Sequence, residues 1–216
     1  MSEQSLNKYF DLIKERPYEF IGDEIHIITD RNKLIQYEYE NNCDLGLIYE
    51  SPYHILVKDL VCSDNKIFVY ERILKKNPNN AVVTIPVYNG KFVLIKQFRH
   101  ALRDFQICFP RGFGEQEISV VENAKKELSE ELGCEILSCD VLGKVIADSG
   151  ICGDKVSICV CDISKPNIYL GYEGIKSIKL LSLNEIVELV DKNIINDGYT
   201  LSALNLYMAK YNHHIQ

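Results

Sequence analysis

The sequence predicts an α+β protein in which a small β-rich module precedes a mixed sheet flanked by helices. Three observations carry that prediction. Short β-rich runs divided by polar residues occupy 20–74. A second set of strands follows a polar, Pro-containing break at 75–80 (KKNPNN) and opens on the hairpin signal Asn89-Gly90. Amphipathic helical stretches at 119–132, 183–192 and 200–211 interrupt and then close that second set.

The elements follow in order. Leu6, Tyr9, Phe10 and Ile13 obey helical spacing, so a short amphipathic helix opens the chain and ends near Pro17. Strands are expected at 24–29, 46–49, 54–60 and 66–73, then at 81–88 and 91–99 on either side of Asn89-Gly90. Both residues of that dipeptide tolerate the positive φ that a two-residue turn demands. Further strands are expected at 155–163 and 175–181. The break at 75–80 divides the chain into an N-terminal module, 1–78, and a second domain, 79–216.

Composition narrows the function. With 31 acidic and 24 basic residues the net charge is −7, so the chain has no general attraction for nucleic acid or anionic membrane. An anionic small molecule would need local neutralisation, for which bound cations are the obvious means. No apolar run approaches the ~18 residues that span a bilayer. The polar first eleven residues lack the apolar core of a signal peptide. Eight cysteines without framework spacing therefore read as free thiols in a reducing, cytoplasmic setting. Cys159 and Cys161 would share one face of a strand; with no CxxC pair they read as core rather than as zinc ligands.

The chemistry concentrates on the helix at 119–132. Glu127, Glu130 and Glu131 stand at i, i+3 and i+4, on one arc of about 100°. Val120, Val121, Ala124, Leu128 and Leu132 occupy a neighbouring arc that would hold the helix on a sheet. An acidic helix face alone is most simply a solvated surface. The frame around it argues otherwise. Ser119 and Glu122 form a capping box, Gly133 stands where a left-handed C-terminal residue is expected, and the glycine-containing loop 109–115 permits close approach to a ligand. Hard carboxylate oxygens in such a cradle suit Mg²⁺ or Mn²⁺.

At these residues the sequence resembles the Nudix hydrolases, whose signature is G-x5-E-x7-R-E-U-x-E-E-x-G-U, with U aliphatic. Gly112, Glu127, Leu128, Glu130, Glu131 and Gly133 fall in register. Ile118 stands at the first glutamate, with Glu117 one residue away; Lys126 replaces the arginine and Cys134 the last aliphatic residue. The resemblance extends from about Ala81 to the C-terminus and is closest to the ADP-ribose pyrophosphatase branch. It rests on GKFVLIKQFR at 90–99, Pro110-Arg111-Gly112, Tyr172-Glu173-Gly174-Ile175 and INDGYTLSALNL at 195–206. Cys108 occupies a position where that branch commonly carries glutamate.

The resemblance implies an α/β/α sandwich and a Mg²⁺-dependent cleavage of a nucleoside-diphosphate compound, ADP-ribose to AMP and ribose 5-phosphate being the leading expectation. It implies Glu127 and Glu131 as direct metal ligands, Glu130 as a helper or a ligand through water, and the main-chain carbonyl of Arg111 as a further oxygen. Glu173 is the candidate for activating the attacking water, with Asp148 and Asp154 as weaker rivals. Arg99 and Arg111 are the expected phosphate-binding cations, with Arg72 a third. His100 reads as structural. By analogy with the branch, the N-terminal module is expected to pack against a second subunit, making a homodimer. Alternatives are another nucleotide sugar or dinucleotide as substrate or, from a different class, a Nudix module that binds its ligand without cutting it.

Overall fold

The computed structural model describes residues 3–76, 80–114, 117–167 and 172–211; Glu115 and part of the expected break at 75–80 lie outside them. The chain divides into two compact units, Met1–Pro78 with Asp148–Asp154, and Asn79–Ala147 with Lys155–Gln216. The segment bearing Asp148 and Asp154 thus groups with the first unit, where Ile73 donates its N–H to the Ile151 carbonyl at 2.8 Å and Tyr70 its hydroxyl to Gly150.

In the first unit, helix α1 (Glu3–Glu15) is followed by β1 (His26–Ile27), α2 (Arg31–Asn41), β2 (Gly46–Glu50), β3 (His54–Ser63) and β4 (Lys66–Lys75). The long strand β3 pairs antiparallel with β1, β2 and β4. Leu6, Tyr9 and Leu12 of α1 bury their stripe against Leu47, Ile55, Val57 and Leu60 of the sheet. Helix α2 departs from the sequence expectation of strands throughout this region. Its apolar residues Ile35, Tyr37 and Tyr39 alternate as in a strand, and Leu34 alone is buried. Local capping defines the helix instead: the Asp30 side chain accepts the Lys33 N–H, and Asn42 closes the end in a left-handed conformation.

The second unit contains β5 (Val82–Tyr88), β6 (Lys91–Arg99), β7 (Asp104–Cys108), β8 (Arg111–Gly112), α3 (Val120–Leu132), β9 (Ile136–Val145), β10 (Val156–Ile163), β11 (Ile175–Leu181), α4 (Leu183–Asp191) and α5 (Gly198–Tyr211). The strands form a seven-stranded mixed sheet in the order β11-β6-β5-β10-β9, with β7 beside β6 and β8 beside β5. Only the β5–β10 pairing is parallel among the described strand pairs of this sheet. Strand alternation sends Val83, Ile85 and Leu94 to a core shared with Ile186, Ala203 and Leu204 of α4 and α5. It sends Val82, Val93 and Ile95 to the opposite core, against Ala124, Leu128 and Leu132 of α3. The result is the α/β/α sandwich with a mixed sheet. Strand β9, ten residues long, has no counterpart in the sequence reading, because among the described strands it pairs with β10 alone and does so through register shifts that break the polar–apolar alternation.

Candidate active site

Helix α3 is fixed at both ends by local chemistry. The Glu122 carboxylate accepts the Ser119 N–H at 2.8 Å while Ser119 Oγ accepts the Glu122 N–H at 3.2 Å, and Gly133 closes the helix at φ 56°. Asn123, fully buried on the same helix, donates its amide to the carbonyls of Asn80 and Phe113, at 2.8 and 3.2 Å. Asn80 in turn donates to the Ile118 carbonyl at 2.8 Å. These bonds pin the glycine loop to the helix start.

The side chains of Glu127 and Glu131 point back to strand β8. A Cβ on Gly112 would lie 1.8 Å from the Glu127 carboxyl carbon, so only glycine leaves room for that carboxylate against the backbone. Glu131 is 1 % exposed, and its carboxyl is pushed up to about 8, first by burial and then by the charges of Glu127 and Glu173. Arg99 and a hydrogen bond from the Arg111 N–H oppose the shift. Glu131 Oε2 has no hydrogen-bond partner among the described residues. A buried acceptor left in this state costs free energy until a donor or cation meets it.

Two arginines stand at the same place. Arg99, at the end of β6, donates from Nη2 to Cys108 Sγ at 3.2 Å, and its buried Nε has no partner among the described residues. Arg111 donates to Asp197 Oδ1 at 3.2 Å and lies 5.1 Å from the centre of the Tyr199 ring. Asp197 also caps α5, accepting from the Thr200 N–H at 2.9 Å and the Thr200 hydroxyl at 2.7 Å. Thr200 Oγ1 accepts the Phe109 N–H at 3.1 Å, and the Pro110 carbonyl accepts the Thr84 N–H at 2.9 Å. The loop 109–111 is therefore clamped from both sides. Glu173 sits beyond β6 with its backbone at φ 44°, and its carbonyl accepts Gln97 Nε2 at 3.0 Å.

Thus Glu127, Glu131, Glu173, Arg99 and Arg111 come together. Glu130 is half-buried and lies 4.0 Å from Lys126, one helical turn back. Ile118, at the first-glutamate position, is half-buried, while Glu117 beside it is exposed. His100 is exposed, with its Nδ1 2.9 Å from Arg103. Arg72, Asp148 and Asp154 belong to the first unit. The Arg72 guanidinium is ion-paired with Asp59 and donates to the Glu19 carbonyl, and Asp154 accepts from Cys152 Sγ and faces Lys75 at 3.6 Å. Gln97, Asn123, Asp197 and Thr200 escaped the sequence reading; the one local signal among them is the Asp-x-x-Thr spacing at the start of α5. Among the described residues, no three His, Cys, Asp or Glu side chains converge as a preformed metal-ligand set.

Comparison with known proteins identifies the family and the fold. The family model for the NUDIX domain matches residues 78–192. ADP compounds hydrolase NudE of Escherichia coli (strain K12) is 26% identical over 150 residues, which is 68% of this chain and 80% of that protein. A crystal structure of an ADP compounds hydrolase superposes with a TM-score of 0.68 at 21% identity, covering 80% of this chain and 95% of the other. With Gly112, Glu127, Glu131 and Gly133 in place and more than half of the chain matched, this protein belongs to the Nudix hydrolase family.

Proposed function

We propose that this chain hydrolyses the pyrophosphate bond of ADP-linked compounds with Mg²⁺ or Mn²⁺, and that ADP-ribose, cut to AMP and ribose 5-phosphate, is its substrate. The observation that carries the proposal is Glu131: buried, short of a partner at Oε2, and flanked by Glu127, Glu173 and Arg99. Such a carboxyl group fits a divalent cation, whose charge reverses the electrostatic effect of the neighbouring carboxylates. Glu127, Glu131 and the Arg111 carbonyl would hold the ion, with Glu130 acting through water. When bound, the metal screens the diphosphate and acidifies a coordinated water.

The chain's own residues supply the rest. Arg99 and Arg111 offer planar donor forks to phosphate oxygens. Glu173 lies close enough to act on Glu131 electrostatically and is exposed, where a carboxylate can reach and deprotonate an attacking water. The name of the Escherichia coli relative supports the ADP class of substrate. A homodimer assembled through the first unit and a cytoplasmic setting complete the reading. No helix among the described residues is long and apolar enough to cross a membrane, and the described cysteines are free thiols. Sedimentation tests the dimer, and a stable monomer at micromolar concentration removes it.

Incubation with Mg²⁺ and a panel of nucleoside diphosphate sugars and dinucleotides, followed by mass spectrometry, tests the activity. Cleavage of ADP-ribose ahead of the panel, lost in a folded Glu131→Gln variant, is the expected result; preference for another nucleotide sugar or dinucleotide reassigns the substrate. Ile118, an apolar residue at the first-glutamate position, favours a second reading, a module that binds the ligand without turnover. Tight binding with no product would establish that alternative.

A further inference from the structure

Beneath helix α3, on the sheet face away from α4 and α5, three thiols meet. Cys161 and Cys159 of β10 are fully buried within the apolar layer formed with Ala124, Leu128 and Leu132, and Cys139 of β9 packs against that layer while remaining partly open to solvent. Cys139 and Cys161 are directly opposite one another in the antiparallel β9–β10 register, with their sulfurs 3.5 Å apart. Opposed residues of an antiparallel pair have Cα atoms about 4.5–5.5 Å apart, inside the span of about 4.4–6.8 Å that a disulfide bridges. Cys159 faces Val141 across the ladder, so it lacks a thiol partner in register.

The three sulfurs are not equivalent. Hydrogen bonds from the Cys159 and Cys161 thiols lower the pKa of Cys139, with the Lys125 ammonium acting in the same direction; Cys159 and Cys161 are raised. One sulfur is therefore accessible and disposed to be a thiolate, and its opposed neighbour is a buried thiol. A nucleophile beside a resolving thiol is the arrangement peroxide-sensitive cysteines require.

We infer that Cys139 is a site of oxidation by hydrogen peroxide, with Cys161 as the thiol that resolves it into a reversible cross-strand disulfide. The Cys139 thiolate attacks one peroxide oxygen, the O–O bond breaks, and the other oxygen departs as hydroxide. Cys139 becomes a sulfenic acid, oxidised by two electrons. Cys161 then attacks the sulfenic sulfur, its proton leaves with the hydroxyl as water, and the S–S bond forms. Net, one peroxide is reduced while two sulfurs are joined. Such transient bonds are compatible with a reducing compartment, where thiol reductants reopen them.

The inference does not depend on the hydrolytic reading, so its test measures mass and connectivity rather than turnover. The full-length reduced protein is treated with a small excess of hydrogen peroxide, quenched by alkylation and mapped by proteolysis and fragmentation mass spectrometry. Two hydrogens are lost, the link is mapped between Cys139 and Cys161, and dithiothreitol restores the starting mass. Cys139→Ser abolishes the loss of two hydrogens, and Cys159→Ala retains it, each with unchanged circular dichroism. Addition of oxygen without a link overturns the inference, as does no reaction, or a link involving Cys159 or any other cysteine. The wild-type map decides the matter even if a variant fails to fold.

Discussion

Two buried carboxylates, one in each unit, share the same burial and have opposite surroundings. Asp59 in the first unit and Glu131 in the second are each 1 % exposed. Both Asp59 oxygens are met from within the chain, one by the Tyr9 hydroxyl and the other by Arg72 Nε, with the Arg72 guanidinium resting 5.0 Å from the centre of the Phe20 ring. Glu131 receives the Arg111 N–H, feels two like charges, and keeps Oε2 unmatched among the described residues. A buried carboxyl group whose partners are internal serves the fold, whereas one left short of a partner is poised for something the chain does not supply.

The sharpest way to break this contrast is to remove Asp59. Asp59→Ala leaves the buried Tyr9 hydroxyl and the partly buried Arg72 guanidinium without their carboxylate, and the expected loss is about 3–5 kcal/mol in urea unfolding. A loss under about 1 kcal/mol would place Asp59 among the dispensable groups and end the comparison. Glu131→Gln should behave in the opposite sense. The folded state raises the Glu131 carboxyl from 4.5 to about 8, so it favours the protonated form. That stability is fully present below pH 4.5 and is lost as the pH rises through about 8. Measured in chelator, the Gln variant should match wild type at acid pH and exceed it by a few kcal/mol above pH 8. Parallel stability curves across that range would show that Glu131 is not held in this way.

A smaller effect isolates the cradle. Gly112→Ala places a methyl group where the Glu127 carboxyl lies, displacing that carboxylate and lowering hydrolysis by roughly 10²-fold. Unfolding should change by only about 1–3 kcal/mol. Full activity in this variant would mean Glu127 has no fixed place in the reaction. The smallest effect belongs to Asp197→Asn. Asparagine keeps the α5 cap but surrenders the charge facing Arg111, so stability should move by about 0–1 kcal/mol and hydrolysis by less than ~10-fold. A larger loss would promote the Asp197–Arg111 pair from a support to a central element.

How much of this was legible follows from the range of each interaction. The acidic register of Glu127 and Glu131, the Ser119–Glu122 box and the Gly133 stop are set by neighbours within one or two helical turns, and the sequence displays them directly. The α5 contacts of the 109–111 loop bridge 86 to 91 residues, and Gln97 reaches Glu173 across 76. Nothing local in a sequence encodes such partners. Glu130 is placed by the same local rule, with Lys126 4.0 Å away at i−4. Helix α2 and strand β9 were missed because an alternating tyrosine pattern and register shifts each imitate the wrong period.

The most direct test is anomalous diffraction from crystals soaked in Mn²⁺. The account predicts an ion within bonding distance of Glu131 Oε2, shared with Glu127 and the Arg111 carbonyl. Manganese bound elsewhere, with Glu131 Oε2 hydrogen-bonded to a protein group or a water instead, would contradict it.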